Sequence, residues 1–122
     1  MGPVLAARVR PHPFEVSVDE QDRVAVVRVQ GEVDAATAPR VGETINRLLA
    51  RRRRVVLDLR HVDFMDLHGL GVMIRATRKA RSDGGSFAIA RPAPCVRRLV
   101  ALVHAENELR ILPDGTDPRT AA

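Results

Sequence analysis

The stretch from Val55 to Met73, VVLDLRHVDFMDLHGLGVM, decides the fold of this 122-residue chain. Residues 55–59 form a nearly continuous apolar run, which predicts a strand covered on both faces. Asp66 then offers a side-chain oxygen to the first N–H groups of a new helix, and Gly69 and Gly71 permit close approach in its first turn. A helix that starts at the carboxyl end of a buried strand is a common place for function in an α/β domain.

Apolar periodicity on either side of this stretch predicts further strands and helices in alternation. Strands are predicted over residues 14–18, 23–30, 55–59, 86–90 and 109–112. Helices are predicted around the apolar stripe Val41, Ile45, Leu48 and Leu49, over residues 68 to about 82, and from Pro92 through Val103. The first helix is capped by Asp34 or Thr37, and the cluster from Arg51 to Arg54 faces water at its end. The order β-β-α-β-α-β-α-β predicts an α/β fold with a mixed, mostly parallel sheet. Residues 1–13 are expected to form a flexible arm, 14–112 one domain and 113–122 a frayed tail.

Residues 64–71, Phe-Met-Asp-Leu-His-Gly-Leu-Gly, resemble the signature of STAS domains, and specifically of bacterial anti-sigma factor antagonists. The family motif is Phe-(Met/Ile)-Asp-Ser-(Ser/Ala)-Gly-Leu-Gly, in which the anti-sigma factor, a serine kinase of the GHKL type, phosphorylates the serine. Here Leu67 occupies that position, so the resemblance implies a variant without the usual phosphoacceptor. The resemblance covers residues 14–112 and implies the STAS fold, with the family's last helix short or absent.

A second segment, Gly31-Glu32-Val33-Asp34, resembles the family's Gly-Glu-(Leu/Ile/Val)-Asp loop, which lies beside the phosphoserine loop and shares its partner surface. The resemblance therefore implies a set of partner-binding residues on two loops: Glu32, Asp34, Thr37, Asp66, Leu67, His68 and Gly69. Asp34 and Asp66 also suit a purely structural role as helix caps. Leu67 is either a buried staple or an exposed apolar anchor for a partner.

Two catalytic alternatives can be read from the same region. His61, Asp63, Asp66 and His68 form a compact His/Asp cluster typical of a metal-dependent hydrolase, but strand-to-helix geometry turns alternate side chains apart. The second alternative is that His68 accepts a phosphoryl group in place of the serine. No carboxylate pair of the kind found in phosphotransfer domains lies near it in the sequence. The run 69–74 carries only two of the three glycines of a dinucleotide fingerprint, and no Gly-Lys-Ser/Thr is present. We expect no catalytic residue, metal or cofactor.

Composition narrows the partner classes further. The net charge of +5 and pI near 11.1 suggest a nucleic-acid partner. The arginines are spread along the chain, however, and Trp and Tyr are absent, so we expect no nucleic-acid partner. No apolar run is long enough to cross a bilayer, so no membrane partner is expected. The single cysteine, Cys95, fits a reducing, cytoplasmic setting. It lies near a helix start, which can lower the pKa of a thiol, although a small buried hydrophobe is the simpler interpretation.

Taken with the resemblance, these residues predict an interaction protein rather than an enzyme. It would bind an anti-sigma factor of the serine kinase type through residues 31–38 and 64–71 and so release a sigma factor. Without a serine at position 67, it is either a constitutive antagonist, one regulated at Thr37 or Ser82, or a scaffold subunit of another signalling complex. A metal-dependent hydrolase is the remaining alternative. A monomer or weak homodimer is expected.

Overall fold

The computed structural model describes residues 12–120, so the predicted arm of residues 1–13 falls almost entirely outside the described residues. Within this described range, four strands and three helices follow one another. They are β1 (Glu15–Gln21), β2 (Val24–Val33), α1 (Ala38–Ala50), β3 (Arg54–Met65), α2 (Leu67–Asp83), β4 (Ser86–Ala90) and α3 (Pro94–Leu102). In the described part of the chain no helix is both long and apolar enough to span a membrane.

The four strands form one sheet in the order β1-β2-β3-β4. β1 and β2 are antiparallel, whereas β3 is parallel to β2, and β4 is parallel to β3. The turn between β1 and β2 consists of Asp22 and Arg23, both with positive φ, as in the two-residue turns that match the twist of a hairpin. These findings confirm the predicted α/β class with a mixed, mostly parallel sheet.

The helices pack on one face of the sheet, where most of the core lies. Alternate residues of β2, such as Ala25 and Val27, point to this face and share a cluster with Ile45 of α1 and Met73 of α2. The intervening residues Val24 and Val26 belong instead to a second, smaller cluster that includes Leu112. The continuous apolar run in β3 therefore reflects a strand that is covered on both faces, as predicted.

The residues after Leu112 contribute to the cover on the second face. Pro118 is buried, in a short turn that lies against β2 and β3, and the guanidinium of Arg119 donates to Asp19 and Gln21 of β1. In β3, Asp58 is only 3% exposed and accepts a hydrogen bond from Arg91. The C-terminal segment thus makes specific contacts with three strands of the sheet.

The predicted last strand, residues 109–112, is wrong. A 3-10 turn at Glu106–Glu108 precedes this segment, and Ile111 makes only an isolated parallel bridge with Ile89. The bridge consists of two backbone hydrogen bonds: the N–H of Ile89 donates to Arg110 O, and the carbonyl of Ile89 accepts from Leu112 N. Pro113 follows and has no N–H to continue the ladder, so the apolar pattern of 109–112 reflects burial at the sheet edge rather than an extended strand.

Candidate functional site

The two segments that the sequence singled out lie together at the carboxyl ends of β2 and β3. β2 pairs in parallel with β3 as far as Val33 and Met65, so both strands end at the same edge of the sheet. The backbone N–H of Asp66 then donates to Val33 O at 3.1 Å and joins the two loops directly. This arrangement brings the 31–38 loop and the start of α2 onto one surface, although it does not by itself assign a partner.

Gly69 is what allows the two loops to pack so closely. It is buried in the first turn of α2, and a Cβ added there would lie 2.7 Å from Met65 Cγ and 2.9 Å from Val33 Cγ1. Since real Cβ atoms essentially never approach other atoms that closely, any larger residue would force either these side chains or the helix to shift. Its predicted place at the site therefore has a structural cause in the packing of α2.

Asp66 is the N-cap of α2, as predicted. Its Oδ1 accepts the backbone N–H of His68 at 2.8 Å, and its Oδ2 lies 3.3 Å from His68 Nδ1. Burial acts to raise the pKa of Asp66, but the hydrogen bonds from His68 and from the N–H of Gly69 outweigh it and hold that pKa below its ordinary value. The carboxylate is thus ionised at neutral pH and fixes the first turn of the helix.

This pKa shift predicts how the stability of α2 depends on pH. Because the pKa of Asp66 is lower in the folded chain than in the unfolded chain, its contribution is complete above the unfolded pKa and is lost as the pH falls through the folded one. Asparagine retains the cap but not the charge. We expect thermal unfolding to show Asp66→Asn less stable than the wild type at pH 7, with the difference shrinking as the pH falls below the ordinary carboxyl pKa of 3.8. A difference that is constant with pH would contradict this role.

The loop before α1 is held by Asp34 and Thr37 together. Asp34 Oδ1 accepts the N–H groups of Ala36 and Thr37, and Thr37 Oγ1 accepts the N–H of Asp34 at 2.9 Å while donating to Glu32 O at 2.7 Å. Thr37 occupies the N-cap position, but it is the side chain of Asp34 that satisfies its N–H. The two alternatives for the cap are therefore both partly realised, and Glu32 remains exposed beside them.

Leu67 is an exposed apolar residue in the middle of the predicted site. Its side chain is 64% exposed at the first position of α2, so the alternative of a buried staple is wrong. Phe64, two residues before the cap, is also 47% exposed. Phe64 lies within the predicted 64–71 segment but was not among the partner-binding residues named from the sequence. Two exposed large hydrophobic side chains on one strand-to-helix connection are a typical sign of an interaction surface.

The His/Asp cluster does not converge. Asp63 accepts from His12, whose ring also lies 5.1 Å from that of His61, whereas Asp66 is paired with His68 at the helix start. Among residues 12–120 no group of three or more His, Cys, Asp or Glu side chains is placed to hold a metal ion. The geometry therefore gives no support to the metal-dependent hydrolase.

Cys95 also differs from a reactive cysteine. Burial raises the pKa of its thiol, and Sγ lies 3.5 Å from Val62 O as a hydrogen-bond donor. The N–H groups at the start of α3 act to lower this pKa, but their effect is smaller than that of burial. The thiol is half-buried rather than fully buried, and it behaves as part of the packing between α3 and β3.

With the two loops in place, the chain can be compared with known proteins. A model of the STAS domain matches residues 15–115. The chain belongs to the STAS domain family. An anti-sigma F factor antagonist of Paenibacillus polymyxa is 31% identical over 89 residues, covering 71% of this chain and 76% of the relative. The anti-sigma-F factor antagonist RsfB of Mycobacterium tuberculosis is 28% identical over 111 residues and covers 90% of each chain.

Solved structures agree with this assignment. The crystal structure of an anti-sigma factor antagonist from Mycobacterium paratuberculosis is 29% identical, with a TM-score of 0.77 over 89% of this chain and 93% of that one. The structure of the anti-sigma factor antagonist SpoIIAA in its unphosphorylated form has the same fold, with a TM-score of 0.68 and 17% identity. The match covers 82% of this chain and 90% of SpoIIAA. The resemblance found in residues 64–71 is confirmed, since homologues and structural neighbours are anti-sigma factor antagonists.

Proposed function

We propose that this STAS protein is a non-enzymatic antagonist that binds an anti-sigma factor of the serine kinase type through residues 31–38 and 64–71. The observation that carries the proposal is the exposed Leu67, placed at the start of α2 and tied to the 31–38 loop by the bond from Asp66 to Val33. An apolar side chain surrounded by polar caps suits the centre of an interface. Occupying the anti-sigma factor in this way frees the sigma factor.

The test uses purified proteins. Each anti-sigma factor of the source organism is mixed with the full chain, and affinity is measured by isothermal titration calorimetry. Release of the sigma factor is then followed by transcription from a sigma-dependent promoter in vitro. We expect one anti-sigma factor to bind and its inhibition of transcription to be relieved. Absence of binding to every candidate would contradict the proposal. A monomeric or weakly dimeric state is a separate expectation to be checked by sedimentation, and a cytoplasmic location is to be checked by cell fractionation.

Regulation follows from the residue at the helix start. Leu67 has no hydroxyl, so the usual switch, which adds about two negative charges to the contact, is absent at this position. Of the two alternative hydroxyls, Thr37 lies in the site but already makes hydrogen bonds that hold the loop. Ser82 lies 15 residues along α2 from Leu67, on the order of 22 Å at 1.5 Å per residue. A constitutive antagonist is the proposal that these contacts favour.

Replacing Leu67 by serine should create a kinase substrate. Serine at this place would follow the Asp66 cap in the loop geometry described above, with its hydroxyl exposed where the leucine now stands. We expect the anti-sigma kinase to transfer labelled phosphate from ATP to Leu67→Ser and not to the wild type, with the site mapped by mass spectrometry. Phosphorylation of wild-type residues 64–71 would contradict the prediction and implicate His68.

A further inference from the structure

An open groove of about 840 Å³ runs between α1 and α2 and ends beside the proposed partner surface. Ala38 and Gly42 line it from α1, and Val72 lines it from α2. Leu67 and His68 close the end nearest the 31–38 loop. No function assigned above uses this groove, yet it is continuous with the most exposed apolar residue of the site.

The dimensions of the groove suit one α-helix. Along α1 it extends from Ala38 to Ala50, on the order of 18 Å at 1.5 Å per residue, which equals about three helical turns. Gly42 lets α1 and α2 lie close together beneath the groove, because a Cβ there would already lie 3.6 Å from Val72 Cγ2. A three-turn amphipathic helix presents an apolar stripe of the same length.

The charges along the groove indicate the sign of its occupant. Arg47 and Arg75 line opposite walls, and within residues 12–120 neither makes an ion pair. The other arginines of α1 and α2 do not line the groove, and Lys79 forms an ion pair with Asp83. Of the residues that the structure describes, Glu43 is the one acidic residue that lines the groove. The walls therefore carry an excess of positive charge that favours carboxylates on the partner.

We infer that the groove between α1 and α2 binds an acidic amphipathic helix of the anti-sigma factor, with Leu67 at one end and Arg47 and Arg75 as its charged walls. The inference rests on the proposed function, and it extends the contact from the two loops to the helices behind them. It also assigns a role to residues that lie outside the family's sequence motifs. The arginines would act chiefly on the rate of association and its dependence on salt.

The experiment compares charge variants for binding to the anti-sigma factor identified above. Arg47→Glu/Arg75→Glu is expected to lose about tenfold in affinity, more at low salt than at high salt. The control Arg98→Glu/Arg110→Glu makes the same change in net charge at exposed positions outside the groove and should lose less than about threefold. Glu43→Gln should bind about twofold to fivefold more tightly, a gain that misfolding cannot produce. Circular dichroism checks that each variant is folded.

The outcomes separate this inference from the proposed function. If wild type binds no anti-sigma factor, the proposed function and the inference fail together. If wild type binds and the groove variants behave like the control, only the groove assignment is overturned. A change in sedimentation of the free Arg47→Glu/Arg75→Glu chain, with unchanged affinity for the anti-sigma factor, would also overturn it, because a second copy of the chain would then be the occupant.

Discussion

Leu67→Asp is expected to weaken binding to the anti-sigma factor by about a hundredfold, a loss of about 2–3 kcal/mol. The leucine is 64% exposed, so the substitution costs the free protein little packing. In the complex, however, the new carboxylate would be desolvated at the centre of the contact, next to the ionised Asp66. Titration calorimetry measures the loss, and an unchanged circular dichroism spectrum shows that the fold is intact.

The chain offers a matched control for this change. Leu102 at the end of α3 is 77% exposed and lies outside both loops, so Leu102→Asp introduces the same charge at a similarly exposed leucine. It should leave the affinity within about threefold of the wild type. The antagonist interface would have to lie elsewhere if Leu67→Asp were silent while neutralising Arg51 to Arg54 abolished binding. The contacts argue against that result, since Arg51 already faces Glu20 at 3.4 Å.

The fold was largely predictable because burial and local geometry act together in the central stretch. The run 55–59 is apolar on both faces, and the structure buries it between the helices and the C-terminal segment. Asp66 was predicted as a cap because its carboxylate precedes the helical pattern and can accept the free N–H groups of the first turn. Parallel pairing then forces the ends of β2 and β3 to one edge, so the neighbourhood of the two loops follows from topology alone.

The features that sequence reasoning missed depend on long-range contacts. The pattern of residues 109–112 cannot distinguish a strand from an apolar segment that touches the sheet at one bridge. The groove between α1 and α2 depends on how the two helices pack together, which periodicity does not encode. Its charged wall could have been suspected from Arg47, a basic residue near the end of an amphipathic helix, but that position equally suits the helix dipole. The exposure of Leu67 was one of two open alternatives.

The second large effect is expected at Gly31, where the chain before β1 crosses over the end of β2. Gly31 has φ of +89°, and a Cβ there would lie 2.8 Å from both Cα and N of Phe14 and 2.9 Å from His12 O. These are backbone atoms that cannot rotate away. Phe14 is held in turn by Arg40 of α1, whose guanidinium lies 5.1 Å from the ring. Alanine at position 31 must therefore either strain β2 or displace residues 12–14.

We expect Gly31→Ala to lower the free energy of unfolding by about 2–4 kcal/mol, measured by urea denaturation. Gly84→Ala is the matched control, because Gly84 also has a positive φ, +77°, but nothing lies within 4 Å of its Cβ position. It should cost only about 1 kcal/mol for the backbone conformation. The difference between the two variants chiefly measures the steric contact with the backbone of His12 and Phe14. Equal losses would show that residues 12–14 do not pack on Gly31, and the 31–38 loop would then lack the support that this crossing gives to the proposed interface.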